Sequence, residues 1–133
     1  MAELRAALAL RYEVFCTEQG VSEAEEIDGR DGEALHLVAV RGGRVIGTCR
    51  VLVEDGVGKL GRMAVECGAR RGGIGGRLLE AAEAAARGAG ARRVILAAQV
   101  YAESFYARHG YHAVGPHFED AGIEHVRMDK ALP

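Results

Sequence analysis

The chain has 133 residues, 49% of them hydrophobic and 27% charged. That is one domain's worth of ordinary globular sequence, able to bury a core without disulfide or metal staples. A net charge of -2 argues against a general nucleic-acid or anionic-membrane binder, whose footprint is basic, but leaves room for a local anion site. The sequence has no apolar run of membrane-span length and no signal-peptide core, so a cytoplasmic location is expected. The three cysteines, Cys16, Cys49 and Cys67, are scattered without a C-x-x-C or zinc spacing. They read as reduced thiols, and no metal is expected.

In chain order, Leu4, Leu8, Tyr12 and Phe15 recur at helical spacing and predict a helix over 3–16. Residues 17–34 are polar, acidic and glycine-containing, and predict a long loop. Strands are predicted at 35–40 and 45–53, joined by the Arg41-Gly42-Gly43-Arg44 turn, and a third at 59–65. Gly61 inside that third strand suggests a bulge or a close backbone approach. A loop at 66–72 precedes a helix over 74–89 with Ile74, Leu78, Ala82, Ala85 and Ala89 inward. A short strand at 94–98, a short helix at 102–109 and a pair of strands at 111–114 and 124–129 close the chain. The loop between those last strands contains Pro116 and Gly122. The order is that of an α/β (α+β) domain with a mixed sheet, taken as one unit over residues 1–133.

Arg70-Arg71-Gly72-Gly73-Ile74-Gly75-Gly76 is the strongest chemical signal. It follows a strand and opens a helix, where unpaired N–H groups and the helix dipole favour phosphate. Glycines allow close backbone approach, and two arginines add charge-assisted donors. Neither a dinucleotide fingerprint nor a P-loop fits: the third glycine would fall on Leu78, and no Gly-Lys-Ser/Thr follows.

The Arg70-x-x-Gly73-x-Gly75 pattern, in this order of elements, resembles the GNAT (GCN5-related N-acetyltransferase) superfamily. Gln99 through Tyr111 is similar to its N-x-x-A-x-x-F-Y-x-x-x-G-F segment, with Gln99 in place of the usual Asn. Arg11/Phe15/Glu18/Gln19, Glu26/Asp28/Asp31, His36, Gly47-Thr48-x-Arg50 and the run Phe118 to Met128 look like the ElaA-type branch. Part of this pattern is also shared with acyl-homoserine-lactone synthases. Cys67 stands where a Pro is common, and the chain opens on its first helix, so the fold's usual first strand is expected to be missing.

The resemblance implies a mostly antiparallel mixed sheet flanked by helices, and acetyl-CoA as co-substrate. Met63, Ala64 and Val65 would meet the pantetheine arm and the acetyl carbonyl. Arg70, Arg71, Gly72, Gly73, Ile74, Gly75 and Gly76 would hold the pyrophosphate. Gln99 and Phe105 would complete the cofactor site, and Tyr106 would protonate the departing thiolate. Glu18, Asp28, Asp31, Glu119 and His125 are candidates for the base or the acceptor side, and Arg11 is expected to pair with Glu18 or Asp28. The expected partner is a small amine. A longer acyl donor, or acyl-CoA binding without turnover, remain the alternatives. A sheet lacking an edge strand also suggests a homodimer.

Overall fold

The computed structural model describes residues 2–133. Helix α1 (Ala2–Arg11) runs on through a π-helical segment at Tyr12–Glu18, and a single-turn helix α2 spans Glu23–Glu26. The strands are β1 (Leu35–Arg41), β2 (Arg44–Glu54), β3 (Val57–Val65), β4 (Arg93–Gln99), β5 (His112–Asp120) and β6 (Ile123–Ala131). Helix α3 (Ile74–Gly88) lies between β3 and β4, and α4 (Glu103–Arg108) between β4 and β5. The six strands form one sheet in the order β1-β2-β3-β4-β6-β5, with only β3 and β4 parallel. Among the described residues none before Leu35 is a strand, so β1 is the sheet's edge.

The sheet has two unequal sides. On one, α3 buries Ile74, Leu78, Leu79, Ala82 and Ala86 against Val51, Leu60, Val94, Leu96, Val126 and Met128. The inward stripe therefore turns onto Ala86, away from Ala85 and Ala89. Gly47 on β2 lets this helix come close: a Cβ there would stand 3.0 Å from both Ile74 and Leu78 side chains. On the other side, α1 covers only the first part of the sheet, with Leu10 and Val14 against Ala64.

Helix α1 buries Ala7, Leu10 and Arg11 and its π-helical continuation buries Val14, whereas Tyr12, expected on the inner face, is exposed. Hydrophobicity alone misplaces the face because its largest buried side chain is an arginine. The 17–34 segment is also more ordered than a loop. Ser22 and Glu25 form a capping box that starts α2, and a 3-10 turn occupies Asp31–Glu33. The expected loop between the last strands is a continuation of both. Gly115 (φ 82) and Pro116 sit in a bulge where the β5–β6 register shifts between Val114 and Phe118. A bulge needs no ladder N–H from proline, so the strand resumes beyond it.

Candidate active site

Parallel pairing of β3 with β4 runs only from Val57/Arg93 to Leu60/Leu96. Beyond Leu60 the two strands part. The cause lies in β3 itself: the β2–β3 register shifts between Thr48 and Arg50, and Arg62 takes a left-handed conformation (φ 52). The bulge is thus at Arg62, one residue after Gly61, and it bends the strand away from its neighbour.

The pairing of β2 with β3 sets which amides enter the gap. Glu66 N–H donates to the Ile46 carbonyl, which makes 46/66 a hydrogen-bonded pair and, two residues on, 48/64 as well. Ala64 therefore spends its N–H and C=O on β2. Met63 and Val65 turn theirs toward β4, into the gap. The Val65 carbonyl is already taken by Arg70 Nε at 2.8 Å, while its N–H and that of Met63 face the opening.

Helix α3 begins at the mouth of the gap. Its N-cap is Gly73 in the left-handed region (φ 79), and no side chain caps it. The first-turn N–H groups of Ile74, Gly75 and Gly76 are left for an anion. The glycines here serve different ends. A Cβ on Gly73 would meet nothing, so this residue is required by its φ alone. A Cβ on Gly75 would stand 3.1 Å from Phe105, and one on Gly76 3.1 Å from His109, so these two let α4 pack on the start of α3. Arg71 (φ 70) is exposed beside them. Arg70 instead reaches Glu18 with its Nη2 at 2.8 Å, tying the π-helical segment to the loop.

Tyr106 comes off α4 with its hydroxyl 3.9 Å from Met63 Sδ. Its ring packs edge-on to Phe105 and Tyr111. Burial pushes the phenol well above the ordinary tyrosine range, so the hydroxyl keeps its proton at neutral pH. Tyr111 is core, whereas Tyr101 is 77% exposed at the cleft rim.

The carboxylates separate sharply. Arg11 donates to Glu26 at 2.6 Å and to Asp31 at 2.7 Å; Arg50 bonds Asp28 and Asp31; Arg62 meets Glu26 at 3.2 Å. Arg11 thus holds neither expected partner, since Glu18 goes to Arg70 and Asp28 to Arg50. The Arg50 hydrogen bond holds Asp28 well below the usual carboxylate range. Burial pushes Asp31 up, but bonds from Arg11 and Arg50 outweigh it and its pKa is lowered. Glu119 is exposed on edge strand β5 opposite Glu124 and does not line the cleft.

His125 does line it. It is buried on β6 directly across from Gln99 of β4, and its ring stacks on Phe118. His125 Nδ1 lies 2.7 Å from the Ile123 carbonyl, which can only accept, so Nδ1 carries a hydrogen and Nε2 is the nitrogen that carries the lone pair in the neutral ring. Gln99 exchanges amide hydrogen bonds with Gln19 at the end of the π-helical segment, the shorter at 2.8 Å. This bridge across the cleft has no local sequence signal, because its members are 80 residues apart.

Together these elements border one open cleft of about 1080 Å³. Its size suits a long, flexible ligand, and its free strand amides and uncapped helix suit a pantetheine arm ending in phosphates. Among the described residues, no cluster of His, Cys, Asp and Glu could hold a metal ion. Cys49 is buried, which pushes its thiol up to about 12 and makes it a poor nucleophile.

Residues 4–132 match the family model described as an acetyltransferase (GNAT) domain. The chain is 42% identical over 129 residues to the uncharacterized N-acetyltransferase YjcF of Bacillus subtilis, covering 96% of this chain and 92% of that one. An acyl-CoA N-acyltransferase of Pseudomonas aeruginosa superposes with a TM-score of 0.86 at 36% identity, over 97% of this chain and 90% of that one. ElaA of Escherichia coli gives a TM-score of 0.86 at 26% identity, over 98% and 90%. The chain belongs to the GNAT acetyltransferase family.

Proposed function

We propose that the protein is an acetyl-CoA-dependent N-acetyltransferase that acts on a small amine by direct attack in a ternary complex. The observation that carries this reading is the β3–β4 gap, with the Met63 and Val65 amides turned into it, the uncapped start of α3 at its mouth and the Tyr106 hydroxyl over Met63. Acetyl-CoA supplies an acetyl group activated as a thioester.

The chain's own residues then divide the work. The first turn of α3, with Arg71, holds the pyrophosphate, and the Val65 and Met63 amides align the arm. The Met63 N–H donates to the acetyl oxygen and stabilises the negative charge that grows there as the amine attacks. His125 Nε2 takes the proton the amine must lose. The new carbon–nitrogen bond forms as the carbon–sulfur bond breaks, and Tyr106 gives its proton to the departing sulfur. Glu18, Asp28 and Asp31 are assigned to holding the cleft wall together, since each is committed to an arginine.

Calorimetric titration with acetyl-CoA tests the reading. Gly73→Asp strains a left-handed position that Asp and Asn enter more readily than most side chains. Its carboxylate opposes a pyrophosphate. Binding to the wild-type protein and its loss in folded Gly73→Asp is the expected result; equal binding by both would refute the loop assignment.

A further inference from the structure

Which amine the cleft accepts is open, and the acidic segment 23–31 at first suggests a cationic one. The ion pairs cancel that suggestion. Glu26, Asp28 and Asp31 are matched one for one by Arg11, Arg50 and Arg62. Of the remaining carboxylates on the cleft's wall and rim, Glu25 is bound up in the capping box with Ser22, Glu80 is exposed on α3, and Asp120 is exposed at the turn between β5 and β6.

The uncovered side of the sheet has the opposite character. Strand alternation and register place Lys59, Ile95, Ala97, Phe118 and Arg127 on this side, beyond the reach of α1. They line a shallow recess of about 250 Å³. Lys59, Leu60, Leu96 and Ala97 border both this recess and the main cleft, so the two join where β3 leaves β4. Its floor is apolar and its free charge is positive. Lys59 is exposed and makes no ion pair among the described residues; Glu54, within its electrostatic reach, is bonded to Arg30. Arg127 stands 3.7 Å from Asp129 Oδ1, too far to hydrogen-bond, and that buried oxygen has no hydrogen-bond partner. Asp129 is also shared with Arg93 at 3.5 Å.

Resting on the transferase reading, we infer that the acceptor is an amine joined through an apolar body to a carboxylate or similar anion. The body lies on Ile95, Ala97 and Phe118, and the anion is met by Lys59 and Arg127. The amine then points back over Gly61 toward Met63. Lys59 and Met63 are four residues apart on a strand that rises about 3.3 Å per residue, so the anion belongs several bonds from the nitrogen.

The test titrates the CoA-loaded protein with 6-aminohexanoate and with its uncharged amide, following amide shifts by NMR. The carboxylate should bind about tenfold or more tightly than the amide and shift Lys59, Ile95, Ala97 and Arg127. Lys59→Glu, at an exposed position, should abolish that preference in a protein that keeps the wild-type thermal midpoint. Equal affinity for acid and amide, binding of neither, or a preference that survives Lys59→Glu together with Arg127→Gln would overturn the inference. Turnover of neutral and acidic amines alike would refute the acceptor class and leave the transferase reading standing. Charge-selective binding with no acetyl transfer to any amine would do the reverse.

Discussion

The Tyr106 hydroxyl faces the Met63 sulfur at 3.9 Å, across the gap that separates β3 from β4. A thioether is a weak acceptor, so this contact positions the hydroxyl without consuming it. The same residue of β3 that aims an amide into the gap thereby sets the place of the proposed acid, and two separate elements are registered against one another at the reacting position.

The ion-pair network should be a stability element. Arg11 is only 1% exposed and Glu26 5%. Arg11→Met fills similar volume but leaves Glu26 with Arg62 alone and Asp31 with Arg50 alone. Breaking a buried pair from one side costs about 3–5 kcal/mol. Urea denaturation should register a loss of that order, and a change below about 1 kcal/mol would show that the network carries little.

Acid should reveal the same network. Asp28 has a lower pKa folded than unfolded, because Arg50 hydrogen-bonds its charged form. The unfolded chain therefore takes up the proton first as pH falls. Stability from this pair is full above the ordinary value of 3.8 and drains away as pH drops through it toward the lower folded value. Arg50→Met should flatten that part of the stability–pH curve. An identical slope in wild type and variant between pH about 4 and 2 would contradict the pairing.

Close approach of α3 to β2 gives a third expectation. Gly47→Val forces carbon into a site where even a Cβ stands 3.0 Å from Ile74 and Leu78. Overpacking of this kind costs about 1–3 kcal/mol. The displaced first turn of α3 should also weaken CoA binding, so thermal midpoint and CoA affinity should fall together. A fall in midpoint alone would uncouple the helix start from the ligand.

Much of this was legible beforehand, and the failures have physical causes. Helix α3 and its glycine start were readable because caps and periodicity are local. The bulge was readable to within a residue, since Gly61 advertised it and Arg62 supplies the left-handed conformation. The sequence pattern stops β5 short because Gly115-Pro116 has loop character, and only the bulge between Val114 and Phe118 lets the strand resume. The exact partners of Arg11 were not legible at all. Arginine and carboxylate types fix that pairs form, whereas the turn at Asp31 and the capped α2 decide which ones. His125 was one of five candidates in sequence, and only the Ile123 carbonyl singles out its free nitrogen.

That nitrogen should matter for turnover. His125→Gln keeps a polar side chain in the stack with Phe118 but cannot take a proton. Loss of a general base typically lowers turnover by about 10²–10⁴-fold. A variant that keeps full kcat with chemistry rate-limiting would place the base elsewhere.

Acyl transfer in the β3–β4 gap, with Tyr106 as the acid, stands or falls on Tyr106→Phe. The substitution removes one oxygen and keeps the ring against Phe105 and Tyr111. The measurement is steady-state acetyl transfer to a responsive amine, with pre-steady-state kinetics to establish that chemistry limits turnover. The expected result is a fall in kcat of about 10²-fold with little change in KM for acetyl-CoA, because the hydroxyl acts only as the thiolate forms. Full kcat with chemistry rate-limiting, or a large loss of acetyl-CoA binding in place of turnover, would contradict the account.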